Sequence, residues 1–158
     1  MKQYLDLVRE IINNGVEKQS GRSNMPNIIG ISNSIIKMNL QDGFPLLTTK
    51  KMYWKGVIHE LLWFLRGEYN IKYLVDNNVN IWNKDSYRWY KTEYIDKHNA
   101  PDISMDEFLD KVRSESVFLY PVDDGYCMDK YVYGDVGKVY GYQWRNQNGV
   151  DQIKDIIE

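Results

Sequence analysis

Tyr53-Trp54-Lys55-Gly56-Val57-Ile58-His59-Glu60-Leu61-Leu62-Trp63-Phe64-Leu65-Arg66 is apolar on most of its circumference and halts at Gly67. That pattern belongs to a core helix of a layered fold, so the sequence predicts a largely buried helix over roughly Tyr53 to Arg66. Upstream, Leu5, Val8, Ile11 and Ile12 recur at helical spacing ahead of Gly15, which predicts an amphipathic first helix closed by a left-handed glycine cap. Ile28, Ile29 and Ile31, then Ile35, Ile36 and Met38, are β-branched runs on either side of Asn33 and predict two paired strands. Gln41-Asp42-Gly43-Phe44-Pro45 reads as a turn, and Thr48 or Thr49 is placed to cap the helix that follows.

Downstream, a shorter helix is expected from Asn70 to Asp76, ending at Asn77-Asn78, with Val79 to Trp82 extended after it. From Lys84 to about Tyr133 the composition turns polar, charged and tyrosine-rich. Within it Ser104-x-x-Glu107 forms a capping box ahead of Phe108, Leu109 and Val112. The stretch reads as an excursion with its own small helix, giving expected boundaries at 1–83, 84–133 and 134–158. Val150, Ile153, Ile156 and Ile157 begin a further amphipathic helix that meets no Gly, Asn or Pro stop signal before Glu158, so an interrupted chain is expected.

The 158 residues are 43% hydrophobic, enough to bury one core, and 13 Tyr and 5 Trp bring apolar bodies whose polar handles need partners. A net charge of -2 supplies no broad positive field, so no nucleic-acid partner is expected. The lone Cys127 makes no internal disulfide, the N-terminal residues alternate charged with apolar, and the apolar run Leu61 to Leu65 is far too short to cross a bilayer. These features predict a cytoplasmic protein without a membrane partner.

Glu60 stands among Val57, Ile58, Leu61, Leu62, Phe64 and Leu65, where an unpartnered carboxylate costs desolvation. A buried carboxyl shifted upward suits a proton shuttle at neutral pH, whereas a glutamate on a solvated stripe does nothing of the kind. Trp63 stands where a zinc-protease H-E-x-x-H needs its second histidine, and with two His and one Cys in the chain no metal site is expected. No glycine-rich phosphate loop is present, so phosphate binding would fall to arginines. Arg22, in Gly21-Arg22-Ser23-Asn24, is either such a clamp or an exposed loop residue. Cys127 has no histidine nearby and lies among Asp123, Asp124 and Asp129, a field that opposes a thiolate, so it is not expected to be a nucleophile.

Four strings are more specific: Asn39-Leu-Gln-Asp-Gly-Phe-Pro-Leu-Leu-Thr-Thr-Lys-Lys51, His59-Glu-Leu-Leu-Trp-Phe-Leu65, Asn77-Asn-Val-Asn-Ile-Trp82 and Gly134-Asp-Val-Gly-Lys-Val-Tyr-Gly-Tyr-Gln-Trp-Arg145. In order and spacing they resemble the thymidylate synthase family, and Val150 to Ile153 resembles the start of that family's next helix. The resemblance implies an α+β fold, a mixed, twisted sheet with packed helices, incomplete in this chain, and normally a homodimer. It implies reductive methylation of dUMP to dTMP, with 5,10-methylenetetrahydrofolate as co-substrate giving both carbon and hydride. It also implies roles: Glu60 organises water and assists proton transfer, Tyr140 stands near the nucleophile, Ile81 and Trp82 line the folate pocket, Lys50 lies by the folate tail, and Arg22 takes the phosphate.

Ser23-Asn24 follows Arg22 where the family usually continues Thr-Gly, Asn83 replaces a common Asp, and Asp85 stands where many members have a second Trp. In the family the nucleophilic cysteine and an Arg-Arg pair follow the Tyr-Gly-x-Gln-Trp-Arg motif at a distance beyond Glu158. The chain alone is therefore expected to be inactive, needing a complementing C-terminal part. Two other readings stay open: a pyrimidine hydroxymethylase acting on dUMP or dCMP, and a non-catalytic remnant that keeps a nucleotide or folate surface.

Overall fold

A computed structural model of the chain describes residues 2–21, 25–98, 100–122 and 127–158, with 118–122 and 127–129 described as backbone. The chain divides into two compact units, Met1–Met52 and Tyr53–Glu158. Arg22 lies outside the described residues.

The first unit holds α1 (Lys2–Asn14), β1 (Val16–Lys18), β2 (Ile28–Gly30) and a 3-10 turn at Leu40–Asp42. Helix α1 forms where its apolar spacing places it, but Gly15 is not left-handed. Its lack of a side chain serves a close approach instead: a Cβ there would collide with the Ile11 carbonyl oxygen and stand 2.5 Å from Ile29 Cγ2. That clearance lets β1 leave α1 directly and run antiparallel to β2, with Val16 opposite Gly30 and Lys18 opposite Ile28. The pairing of two isoleucine runs with each other is thus corrected. Residues 35–38 form no strand, and Ile35, 82% exposed, has no face to pack against in this unit.

In the second unit follow α2 (Trp54–Leu65), α3 (Lys72–Asp76), α4 (Asn83–Tyr90), a π-helical turn at Lys91–Ile95, α5 (Asp96–His98) and α6 (Met105–Arg113). Then come the antiparallel hairpin of β3 (Val117–Val122) and β4 (Cys127–Val132), α7 (Tyr140–Arg145) and α8 (Gln152–Ile157). The class is α+β, with the described strands forming two antiparallel pairs.

Helix α2 starts from Tyr53 without a side-chain cap, so neither Thr48 nor Thr49 caps it. Nor is it largely buried: only Gly56 and Trp63 are, while Val57, Ile58 and Leu61 are 47%, 50% and 48% exposed. The helix turns Trp63 into the core of its unit, and no described residue of that unit covers the Val57–Ile58–Leu61 side.

The core gathers Trp63, Ile71, Leu74 and Val79 with Tyr90, Phe108, Val112, Tyr131 and Tyr133. Much of it thus comes from the polar, tyrosine-rich stretch. Tyr90 lies 5.3 Å from Phe108 and stacks at 5.6 Å on Tyr131, while the hydroxyls of Tyr87 and Tyr90 donate to the carbonyls of Ile103 and Pro101. The Ser104 hydroxyl accepts from the Glu107 amide at 3.2 Å, the expected cap of α6. Val79 to Trp82, expected to be extended, is instead a turn into α4, because the Asn80 and Trp82 carbonyls already accept from the amides of Asn83 and Ser86.

Candidate active site

Glu60 is half-buried on α2, and Trp82 is the last residue before α4. The indole Nε1–H of Trp82 donates to Glu60 Oε1 at 2.7 Å. The carboxylate therefore has a partner rather than a place on a solvated stripe. Only Oε1 is engaged by the indole, leaving Oε2 for a water or a proton.

An aromatic frame holds this pair. Trp82 lies 5.3 Å from Trp63 and meets Tyr140 edge-on at 6.1 Å, and Tyr140 meets Phe64 edge-on at 5.5 Å. Trp144, one turn beyond Tyr140 on α7, packs against Phe64 at 5.4 Å. Helix α7 approaches α2 this closely because residue 141 is Gly: a Cβ there would stand 2.9 Å from Phe64 Cα and 3.0 Å from the Glu68 carbonyl oxygen.

The turn that delivers Tyr140 is fastened by Asn70 and Asp135. Asn70 Nδ2 donates to Asp135 Oδ1 at 2.7 Å and to the Tyr133 carbonyl at 3.1 Å. The Ile71 amide donates to the Gly134 carbonyl, the Val136 amide to the Tyr69 carbonyl, and the Ser86 hydroxyl to the Asp135 carbonyl. Burial pushes the Asp135 carboxyl up to about 6, against the bond from Asn70, which lowers it.

Of the residues singled out from sequence, the structure brings Glu60, Trp82 and Tyr140 together, with Ile81, 47% exposed, adjoining Trp82 in the chain. Lys50 is exposed and belongs to the first unit. Cys127 lies in β4, its side chain outside the described residues. His59 is engaged elsewhere, its Nδ1 2.7 Å from the Tyr73 hydroxyl. Phe64, Trp144, Asn70 and Asp135 join the cluster and its support without being expected there, although Phe64 follows Glu60 at helical spacing and Asp135 and Trp144 sit inside the Gly134 to Arg145 string.

Among the described residues no three His, Cys, Asp or Glu side chains group to hold a metal ion, and no helix is long and apolar enough to cross a membrane. The chemistry on offer is that of a carboxylate fixed through one oxygen in an aromatic surround, with the exposed Tyr140 packed edge-on against the same Trp82.

The sequence pattern of the family described as thymidylate synthase matches the chain over residues 2–158. The chain belongs to the thymidylate synthase family. A thymidylate synthase of Phytoplasma mali is 41% identical over 158 residues, an alignment covering 99% of this chain and 49% of that protein. Thymidylate synthases of Malacoplasma penetrans and Mycoplasma genitalium are 46% and 42% identical, each covering 100% of this chain and 49% of the relative. The chain spans about half the length of these curated thymidylate synthases. Thymidylate synthases are methyltransferases that take methylenetetrahydrofolate as co-substrate.

Proposed function

We propose that the polypeptide carrying this sequence is a thymidylate synthase, converting dUMP to dTMP. The observation that carries the reading is the Trp82 indole N–H on Glu60 Oε1, framed by Phe64 and Tyr140. When bound, methylenetetrahydrofolate supplies the carbon and the hydride and is left as dihydrofolate. The chain's own part is to orient and to move protons. Glu60, held through Oε1, keeps Oε2 for the water and proton traffic that replacing a ring hydrogen requires. Trp82 and Ile81 offer the folate an apolar wall, which their partial exposure and aromatic setting suit, and Tyr140 stands beside the reacting ring. Lys50 contributes at the folate tail and Arg22 at the nucleotide phosphate.

The thiolate that activates the pyrimidine comes from residues outside these 158, in the same polypeptide or a complementing one, because Cys127 sits among aspartates. The working enzyme is a cytoplasmic assembly, normally a homodimer, whose remaining half covers the exposed Val57–Ile58–Leu61 side of α2.

The test is Glu60→Gln in the natural polypeptide. It keeps an acceptor for the indole and removes the titrating group, so kcat for dTMP formation falls by roughly 10²-fold or more with dUMP binding retained. Unchanged kcat would overturn the assignment of Glu60.

A further inference from the structure

Asn70 and Asp135 face each other across an isolated antiparallel bridge, with Asn70 Nδ2 on Asp135 Oδ1 at 2.7 Å. Gly134, at φ +106, makes room for that amide, since a Cβ there would stand 2.8 Å from Asn70 Oδ1. From this one contact a path leads to each residue of the site. The Asn70 carbonyl accepts the Trp63 indole N–H at 2.8 Å, and Trp63 lies one helical turn beyond Glu60 on α2 and packs on Trp82. The Asp135 carbonyl accepts the Ser86 hydroxyl at 3.0 Å, and the Ser86 amide donates to the Trp82 carbonyl. Past Asp135, the Val136 amide donates to the Tyr69 carbonyl and Gly137, at φ +75, lies against the Trp89 indole, so little slack remains before Tyr140 opens α7.

Resting on the thymidylate synthase reading, we propose that Asn70 and Asp135 are positioning residues for the reaction: their side-chain bond sets Trp82 and Tyr140 against Glu60, most firmly when Asp135 is ionised. A carboxylate accepts an amide N–H about twice as strongly as a neutral oxygen does. Burial pushes the Asp135 carboxyl up to about 6, so the bond gains strength as pH rises through that value. Glu68, Lys72 and Glu115 face the carboxyl from the turn after α2, from α3 and from the end of α6, with Tyr69, Tyr73 and Tyr131 beside them. Lys72 is engaged by Asp76 and Glu115, and no ion pair among the described residues includes Asp135. The Asn70 amide is therefore the group that answers its charge.

The natural full-length polypeptide, Asp135→Asn and Asn70→Ala are assayed for kcat and for the KM of dUMP at pH 5 and pH 8. Each is also labelled with fluorotyrosine, and the fluorine NMR signal of Tyr140, assigned by its loss in Tyr140→Phe, is compared with the parent at the same pH. Expected is a ratio of kcat, parent over Asp135→Asn, near one at pH 5 and about fivefold at pH 8 with KM unchanged. The ratio cancels titrations that both proteins share. It also runs against stability, because Asp135→Asn should be the more stable protein at pH 8, so a merely structural role would favour the variant. Asn70→Ala lowers kcat at both pH values and moves the Tyr140 signal at both, whereas Asp135→Asn moves that signal only at pH 8. A ratio that does not change with pH, a change confined to KM, or a Tyr140 signal unmoved in both variants would overturn the positioning role while dTMP formation by the parent leaves the synthase reading standing. A parent that forms no dTMP defeats the synthase reading, and the Tyr140 signal then decides by itself whether the bond positions that ring.

Discussion

Trp82 donates its indole N–H to Glu60 Oε1 at 2.7 Å and so couples the turn ahead of α4 to the middle of α2. Trp82→Phe keeps a ring against Trp63 and Tyr140 but strips Glu60 of this donor. In the natural polypeptide kcat for dTMP formation should fall about tenfold or more while KM for dUMP stays near its original value. The accompanying stability loss, read by denaturant unfolding, should be about 1.5–3 kcal/mol, the range for a hydrogen bond to a charged group. A change confined to KM would mean that the bond does not serve the chemical step.

Asp135 sets a pH dependence. Its folded-state value, about 6, lies above the ordinary 3.8, so the fold favours the protonated form. The stability this contributes is fully present below about 3.8 and is lost as pH rises through about 6. Asp135→Asn keeps an acceptor for Asn70 and cannot charge. It should therefore be more stable than the parent at pH 8, by at most about 3 kcal/mol, with the advantage vanishing near pH 4. Melting curves of both proteins across that range check this, and a variant less stable at pH 8 would contradict it.

Gly141→Ala places a Cβ 2.9 Å from Phe64 Cα, backbone that cannot swing aside. Helix α7 should be pushed off α2 at a cost of about 1–3 kcal/mol, carrying Tyr140 with it. The expected readout is a lowered unfolding midpoint together with lost activity. Wild-type stability would show that the approach of the two helices is looser than described.

Ser104→Ala removes the hydroxyl that accepts the Glu107 amide and should cost about 1 kcal/mol, seen as a shift in unfolding midpoint. Since α6 supplies Phe108 and Val112 to the core, the loss should appear in global unfolding rather than in local fraying.

The 158 residues expressed alone leave Val57, Ile58 and Leu61 on α2 about half exposed, and Ile156 and Ile157 on α8 80% and 79% exposed. Such surface drives association. Size-exclusion chromatography should show oligomers or aggregates, and a well-dispersed monomer would contradict the expectation.

The sequence made legible what depends on local periodicity and on compact motifs. Helices α1, α2 and α6 and the Ser104 cap follow from spacing, and Glu60 was singled out as a carboxylate in an apolar helix. Long-range choices were less visible. Nothing local says that Ile28–Gly30 pairs with Val16–Lys18, since Gly15 permits that pairing by what it lacks. Burial of α2 was overestimated because an apolar circumference records what a helix can cover, not what covers it. The tyrosine-rich stretch reads as an inserted excursion with its own small helix, and composition alone does not say that its phenols enter the core: Tyr90 is fully buried and Tyr87 partly so, each with its hydroxyl on a backbone carbonyl. Asp135 and Asn70 escaped notice because their pairing spans distant parts of the chain, and no spacing rule reports such a contact.

The most direct measurement incubates the natural full-length polypeptide with dUMP and methylenetetrahydrofolate and quantifies both products by chromatography and mass. A thymidylate synthase yields dTMP and dihydrofolate in equal amounts, and that is the predicted result. Hydroxymethylated nucleotide with tetrahydrofolate left unoxidised, or binding of both ligands without any product, would contradict it.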